Sequence, residues 1–172
     1  VDKLLAYGVD AKLVTDESRP TTLKQRYRAG NKTLLRVSHM RQHKINKILQ
    51  SQMLDNVVAA LADADLLIFS DFNYGALPQD LVDEITQECV KRGIMMVADS
   101  QSSSQVGDVS RFKNTALLTP TEREARLALV NYEDGLVVLA EALRKKTGAH
   151  SIVITLGSEG VLIHADHPDK TQ

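Results

Sequence analysis

The spacing of apolar residues predicts helices that alternate with short strands. Apolar side chains recur at three- and four-residue steps over 45–61, which predicts an amphipathic helix of about five turns. Continuous apolar runs at 65–70 and 94–98 are typical of strands that are buried on both faces. The remaining apolar patterns predict helices ending at Gly8, over 78–92, from 121 and over 134–146, and strands over 11–15, 115–118, 151–155 and 161–164. This alternation predicts one α/β domain, with helices on both faces of a parallel sheet.

Composition narrows the class of protein. Apolar residues make up 43% and charged residues 25% of the 172 residues, which is ordinary for a globular domain. No apolar run approaches the roughly 20 residues that span a bilayer. The single cysteine, Cys89, excludes an internal disulfide and a cysteine-based zinc site, and we expect it to be a packed thiol. The chain starts at Val1 without a signal peptide, so we expect it to begin inside a larger protein.

The basic residues are concentrated in one stretch. Nine of the 21 Lys and Arg residues lie between Ser18 and Leu54, where Asp and Glu are absent, so the rest of the chain has 12 basic and 22 acidic residues. Within this stretch, two polar runs flank Gly30 and Asn31 and predict a basic hairpin that projects from the core. Such charge asymmetry indicates an anionic partner, although a merely solvated hairpin has the same pattern.

Two further interpretations of the basic stretch have little support. A nucleic-acid-binding module needs aromatic residues on which bases stack, and Tyr27 is the one aromatic residue in this stretch. His39 and His43 have the spacing of a zinc-binding helix pair, but the usual glutamate is missing and Arg41 and Lys44 would repel a cation.

Polar residues follow several predicted strands, and ligands bind outside the carboxyl ends of parallel strands. The segment 119–124 places hydroxyls and carboxylates at a helix start, where backbone N–H groups bind phosphate and a carboxylate holds Mg²⁺. The segment 155–160 has two glycines that let the backbone approach a ligand. Asp71 and Asp99 are candidates for holding sugar hydroxyls or for ordering the site. A helix cap and a simple turn are the structural alternatives for the first two segments.

The order of motifs resembles a known family. A basic T-x-K-x-R hairpin is followed by FSDFNYGAL, ADSQ, LLTPTEREA and VITLGSEG, at 69–77, 98–101, 117–125 and 153–160. This order resembles the ribokinase-like (PfkB) carbohydrate kinases, and within them the heptose-7-phosphate kinase domain of bifunctional heptose kinase/adenylyltransferases. The resemblance covers nearly the whole chain. It implies a three-layer α/β/α fold with a mostly parallel sheet and a small β-lid at about 19–40, incomplete at both ends. Residues 1–172 would then be an interior part of one kinase domain.

The resemblance also implies roles for individual residues. Lys24, Arg26 and Arg36, with Asn31, match lid positions of the heptose kinases. A lid rich in Arg and Lys suits a substrate that already carries a phosphate, because arginine holds phosphate with two hydrogen bonds. Asp71 and Asp99 complete the expected substrate-binding set. The expected ATP-binding set is Thr121, Thr155, Gly157, Ser158 and Gly160, and Glu124 is the expected Mg²⁺ ligand. Two departures stand out: Thr121 replaces the usual Asn, and Asp99-Ser100-Gln101 replaces a usual D-P-K.

The activity that the resemblance implies is that of a cytoplasmic enzyme of lipopolysaccharide biosynthesis. It is ATP- and Mg²⁺-dependent phosphorylation of a sugar phosphate such as D-glycero-D-manno-heptose 7-phosphate, at the anomeric hydroxyl. The catalytic Asp is expected beyond Gln172, so we expect the chain alone to be inactive. We expect a homodimer through the lid and a fused nucleotidyltransferase domain in the full-length protein, and neither a nucleic-acid nor a membrane partner. The alternatives are a non-catalytic sugar- or nucleotide-binding remnant of the fold and a basic nucleic-acid-binding module.

Overall fold

The computed structural model describes residues 2–100 and 107–165. Apart from the strand over 11–15, the predicted alternation of strands and helices is confirmed, with boundaries within a few residues of those expected. The helices are α1 (Asp2–Ala6), α2 (Lys47–Ala60), α3 (Gln79–Arg92), α4 (Glu122–Leu129) and α5 (Leu136–Thr147). The strands are β1 (Leu23–Ala29), β2 (Lys32–His39), β3 (Leu66–Asp71), β4 (Met95–Ser100), β5 (Leu117–Leu118), β6 (Ser151–Thr155) and β7 (Val161–Ala165). Short 3₁₀ turns occur at Val109–Arg111 and Gly157–Glu159.

The central sheet is mostly parallel, as predicted. Its strands lie in the order β3-β4-β5-β6-β7, and the first four are parallel to one another. β7 returns antiparallel to β6. The carboxyl ends of β3 to β6 therefore meet at one edge of the sheet, where the candidate segments lie.

The predicted strand over 11–15 is not formed. These residues have no regular secondary structure, and Lys12 and Leu13 are exposed. A strand is stable only when a neighbour takes up its backbone hydrogen bonds, and no described strand pairs with this segment. The alternation of apolar residues was therefore an insufficient signal here.

Helices α3 and α5 end where glycine allows a left-handed backbone. Gly93 and Gly148 have φ values of 68° and 71° at the ends of α3 and α5. At the start of α2, the side chain of Asn46 accepts a hydrogen bond of 2.9 Å from the Leu49 N–H. The two glycines are the stop signals that the sequence predicts for the helices over 78–92 and 134–146.

One face of the sheet holds the core. Helices α3, α4 and α5 contact the sheet on this face, and Cys89 on α3 is completely buried, as expected for a packed thiol. The strand residues beneath the helices alternate with exposed ones, because successive side chains point to opposite faces. The buried strand residues are Phe69, Asp71, Met96, Ala98, Leu118, Ile152, Ile154 and His164.

The other face of the sheet is largely exposed. Leu66 and Ile68 on β3 are 43% and 62% exposed, and Met95 on β4 is 58% exposed. The prediction that the runs 65–70 and 94–98 are buried on both faces is therefore wrong in the described residues. The physical reason is that α3, α4 and α5 all pack on one side.

Within the described residues, no helix combines the length and apolar character needed to cross a bilayer.

The basic hairpin forms as predicted, and β1 and β2 are here called the lid hairpin. The strands pair antiparallel, with Arg26 opposite Arg36 and Tyr27 opposite Leu35. Side chains directly opposite each other share a face, so the hairpin has two different surfaces. Up to the irregularity in pairing between Tyr27 and Arg28, we call them the cationic face (Lys24, Arg26 and Arg36) and the apolar face (Leu23, Tyr27, Leu35 and Val37, together with Gln25 and His39). All seven β1 residues are exposed, which agrees with a hairpin outside the core.

Candidate functional site

Three of the candidate strand ends lie side by side. The Thr119 hydroxyl donates a 3.3 Å hydrogen bond to Asp99 at the end of β4. Two residues further on, Thr121 forms a parallel bridge with Thr155, the last residue of β6, and the Thr155 N–H donates to the Pro120 carbonyl at 2.9 Å. The structure thus brings Asp99, Thr121 and Thr155 together at one edge.

Thr121 and Glu124 cap helix α4 reciprocally. The Glu124 N–H donates to the Thr121 hydroxyl at 3.2 Å, and the Thr121 N–H donates to the Glu124 carboxylate at 2.8 Å. Glu124 is buried, while Thr121 is exposed. The cap was a structural alternative at the sequence level, and both residues do serve it. The predicted ligand roles of Thr121 and Glu124 stay predictions.

The chemistry of this edge fits a magnesium ion held jointly with phosphates. The described residues contain no group of three or more His, Cys, Asp and Glu side chains that would hold a metal by themselves. Mg²⁺ keeps several waters and is commonly bound through one or two carboxylates together with substrate phosphates. Glu124, at the start of α4 beside the strand ends, supplies a carboxylate of that kind, and the helix N-terminus favours anions.

The segment 157–160 forms an exposed turn beyond β6. Gly157 and Gly160 have φ values of 63° and 106°, which residues with a side chain rarely adopt. A Cβ at either position would meet no atom within 4 Å, so backbone conformation rather than crowding requires the glycines. The Leu156 N–H donates to the Gly160 carbonyl at 2.9 Å, and Ser158 is exposed. The turn places backbone that is accessible to a ligand beside Thr155.

Asp71 lies apart from these residues in its contacts. Its carboxylate is buried and receives hydrogen bonds from the Arg111 guanidinium at 2.5 Å and from the Asn73 N–H at 3.0 Å. Arg111 also donates to the Leu77 carbonyl at 2.9 Å. The structure therefore shows Asp71 in an internal ion pair, and its predicted contact with substrate stays a prediction. Sequence reasoning missed Arg111, which no motif distinguishes from the other arginines.

The lid hairpin reaches the same edge through Lys24. The Lys24 Nζ lies 4.8 Å from the ring centre of Phe72 and 5.1 Å from that of Tyr74, in the loop after β3. This contact directs the cationic face toward the carboxyl end of the sheet. The carboxyl ends of β3, near the lid contact, and of β6, at Thr155, are three strand spacings apart, which is roughly 14 Å.

Two lid arginines lie directly opposite each other. Arg26 pairs with Arg36 in the hairpin register, and both are exposed. Among the ion pairs and hydrogen bonds of the described residues, neither side chain has an acidic partner. Like charges opposite each other destabilise a hairpin, and an anion between them would remove the repulsion. Asn31 lies at the turn, where its carbonyl accepts from Arg28 at 3.4 Å.

Sequence reasoning also missed a cavity beside the lid. It has a volume of about 700 Å³ and lies between residues 10–22 and helix α2, with Arg41 and Tyr74 at its border. None of the predicted site residues lines it. Its walls come from residues far apart in sequence, so no local motif indicated it.

The sequence profile of the pfkB family carbohydrate kinases matches residues 1–171. The chain belongs to this family. The family resemblance predicted from the order of motifs is thus confirmed, and the pfkB chain has the α/β fold with a mostly parallel sheet that the resemblance implied.

Curated relatives of this pfkB chain include two proteins named Bifunctional protein HldE. The protein from Desulfatibacillum aliphaticivorans is 28% identical over 165 residues, which are 94% of this chain and 33% of the relative. The protein from Helicobacter hepaticus is 28% identical over 164 residues, which are 93% of this chain and 33% of the relative. The chain therefore spans about a third of the length of these relatives.

Solved structures share the fold. Phosphofructokinase-2 from Escherichia coli, in complex with potassium, matches 80% of this chain and 45% of its own, with a TM-score of 0.61 and 16% identity. A possible 1-phosphofructokinase from Thermotoga maritima matches 89% of this chain and 48% of its own, with a TM-score of 0.65 and 12% identity. At these identities the likeness concerns the fold alone.

Proposed function

We propose that the chain is part of an ATP-dependent sugar kinase whose acceptor already carries a phosphate. The acceptor class follows from the cationic face of the lid hairpin. Its central pair, Arg26 and Arg36, has no acidic partner among the described residues and lies on the face that Lys24 directs toward the strand ends. That unopposed arginine pair is the observation that carries the proposal, because a phosphate held between the two guanidinium groups offsets their repulsion.

The resemblance to heptose kinases specifies the acceptor further. D-glycero-D-manno-heptose 7-phosphate, phosphorylated at the anomeric hydroxyl, is the proposed substrate, and the relatives named Bifunctional protein HldE support this choice. On the same grounds we propose a fused nucleotidyltransferase domain in the full-length protein. The cytoplasm is the proposed location.

We assign the nucleotide to the edge formed by Thr121, Thr155 and the turn at 157–160. Open backbone at the turn and the N-terminus of α4 are suited to phosphate oxygens. Glu124 is the proposed ligand of Mg²⁺, which neutralises phosphate charge during transfer. Phosphoryl transfer depends mostly on positioning the two substrates and neutralising the charge of the phosphates. The proposed role of this chain is therefore to bind both substrates and hold them in position.

The proposal includes a homodimer formed through the lid hairpin. The apolar face is exposed, with Leu23, Tyr27 and Leu35 at 53%, 51% and 55% exposure. An isolated two-stranded hairpin is marginally stable in water, and a second copy of the apolar face would cover it. The cationic face then remains available to the acceptor.

Isothermal titration of single variants tests the two assignments separately. Arg36→Met is expected to weaken heptose 7-phosphate binding roughly 10- to 100-fold, the value of a charged hydrogen-bonding group, and to leave MgATP binding unchanged. Glu124→Gln keeps a capping residue and is expected to weaken MgATP binding without affecting the sugar phosphate.

Lys32→Met is the matched control, because Lys32 is a lid cation at the turn, away from the arginine pair. Equal losses in Arg36→Met and Lys32→Met would count against the acceptor site. Binding of oligonucleotides with steep salt dependence would favour the nucleic-acid alternative. Tight binding of both ligands without transfer by the full-length protein would favour the non-catalytic remnant.

A further inference from the structure

The two ends of the lid hairpin are joined by one side chain. The chain enters the hairpin through 16–22 and leaves it through 40–45. The Arg19 guanidinium donates from Nε to the Asp16 carboxylate at 2.7 Å, from Nη1 to the Tyr74 carbonyl at 2.7 Å and from Nη2 to the His43 carbonyl at 2.5 Å. Arg19 thus connects the entering segment, the leaving segment and the loop after β3.

The loop that receives Arg19 is itself held in place. Asp71 accepts from the Asn73 N–H, and Arg111 fixes the Asp71 carboxylate. The Ile45 N–H donates to the Gly75 carbonyl at 3.0 Å. A Cβ on Gly75 would lie 2.2 Å from the His43 carbonyl oxygen, so the leaving segment packs directly on the loop backbone. The root of the lid therefore has a defined position on the domain.

The same loop contacts the lid a second time, through its rings. The Phe72 and Tyr74 rings stack with centres 6.1 Å apart, and the Lys24 ammonium lies over both. The Arg19 contact is largely shielded, with a side-chain exposure of 15%, whereas Phe72 is 43% exposed. One attachment is mostly shielded and has three hydrogen bonds, whereas the contact of Lys24 with the rings is accessible to water.

We propose that Arg19 is the pivot of the lid, the attachment that stays in place when the hairpin moves. Lys24, which lies over Phe72 and Tyr74, is its latch, a contact that breaks and re-forms. Two attachment points set the angle of the hairpin, and this angle directs Arg26 and Arg36 toward the strand ends. Lys24 and Arg19 are then positioning residues for the acceptor. This inference rests on the proposed acceptor site, but the latch itself is testable without any ligand.

Hydrogen exchange measured by mass spectrometry reports the latch directly. A cation–π contact at an exposed site shifts an equilibrium by roughly 2- to 5-fold. Lys24→Met and Phe72→Leu are each expected to speed exchange in peptides from 23–39 by that factor and to leave peptides from 151–155 unchanged. Lys24→Arg is expected to keep exchange as slow as in the wild type, because an arginine guanidinium also packs over aromatic rings. Lys32→Met, the control, is expected to match the wild type.

Acceptor binding separates a latch from a direct phosphate ligand. If Lys24 is a latch, Phe72→Leu weakens heptose 7-phosphate binding about as much as Lys24→Met does, and neither affects MgATP binding. If Lys24 holds the phosphate itself, Phe72→Leu leaves the affinity unchanged and the latch is wrong. Phe72→Leu keeps an apolar side chain, so it serves as the second variant if Lys24→Met does not fold.

The pivot has its own variant. Arg19→Lys keeps the charge but loses the three-way hydrogen bonding, and it is expected to speed exchange in 10–22 and 40–46 as well as in the lid. Equal exchange in Lys24→Met and Lys32→Met, or an Arg19→Lys profile like the wild type, would overturn the inference. Faster exchange in Lys24→Met with no sugar-phosphate binding by the wild type would instead refute the proposed function and leave the latch standing.

Discussion

The side chains of Asp71 and Asp99 leave the parallel sheet on opposite faces, although both residues lie at the carboxyl ends of neighbouring strands. Ser70 pairs with Asp99 and Asp71 with Ser100 in the register of β3 and β4, and successive side chains alternate between faces. Asp71 lies on the helix-covered face with Arg111, whereas Asp99 contacts Thr119. The two carboxylates therefore have different environments, and we expect different consequences when each is removed.

Removal of Asp71 is expected to destabilise the fold much more than removal of Asp99. Asp71→Ala leaves the mostly buried Arg111 guanidinium without its carboxylate, which costs about 3 kcal/mol of unfolding free energy. Asp99→Ala is expected to cost less than about 1 kcal/mol. Urea denaturation followed by circular dichroism measures both. Recovery of stability in Asp71→Ala/Arg111→Met would support the explanation, and equal losses in the two single variants would contradict it.

The reciprocal cap of α4 predicts a graded effect at Thr121. Thr121→Ala is expected to lower the free energy of unfolding by about 1 kcal/mol, because the Glu124 N–H loses its acceptor. Thr121→Ser keeps the hydroxyl and is expected to stay near the wild type. Thermal unfolding of the three proteins measures the difference. A Thr121→Ser variant as unstable as Thr121→Ala would show that the methyl group, and not the hydrogen bond, matters.

Neighbouring residues on β3 are expected to respond in opposite ways. Ile68 is 62% exposed and Phe69 4% exposed, so they report on the two faces of the sheet. Ile68→Thr is expected to reduce binding of the dye anilinonaphthalene sulfonate and to change stability by less than about 1 kcal/mol. Phe69→Ala is expected to cost roughly 3–5 kcal/mol, because it leaves a cavity. Similar costs at both positions would mean that the exposed face is covered in solution.

Glu141 is expected to contribute to acid sensitivity. Hydrogen bonds from Arg144 first, and then from His164, hold the pKa of its carboxyl well below the ordinary range. The folded pKa is depressed, so its stabilising contribution is complete above the unfolded value of about 4.3 and is lost as pH falls toward the folded value. Glu141→Gln is expected to flatten the loss of stability below that pH.

Urea denaturation at pH 3 and at pH 6 measures this effect. Glu133→Gln, a substitution at an exposed glutamate on the loop before α5, is the matched control. If the wild type and Glu141→Gln lose the same stability between the two pH values, the ion-pair cluster on α5 and β7 does not determine the acid response.

The sequence was most informative where a local rule decides the structure. Gly93, Gly148 and Thr121 end or start helices because their backbone or side-chain chemistry acts within a few residues. The Gly30–Asn31 turn likewise determined the hairpin. The concentration of basic residues in the same segment predicts that the hairpin is cationic. Arg26 and Arg36 lie opposite each other once the turn sets the register.

Features that depend on distant residues were not predictable. The exposure of Ile68 depends on which side of the sheet the helices pack. The apolar run 65–70 is compatible with a strand that is covered on one face and with one that is covered on both. The Asp71–Arg111 pair joins positions 40 residues apart. Arg19 is one of nine basic residues in the stretch 18–54, and its three acceptors become neighbours only in the folded chain.

Nuclear magnetic resonance titration of the unmodified chain is the most direct test of the central claim, that the lid and the strand ends bind a sugar phosphate and MgATP side by side. The account predicts saturable shifts in the amides of 24–26 and 36–38 on addition of heptose 7-phosphate, and in 121–124 and 155–160 on addition of MgATP. Heptose without the phosphate should move the lid amides far less. Shifts in the lid that heptose and heptose 7-phosphate cause equally, or no response of 121–124 and 155–160 to MgATP, would contradict it.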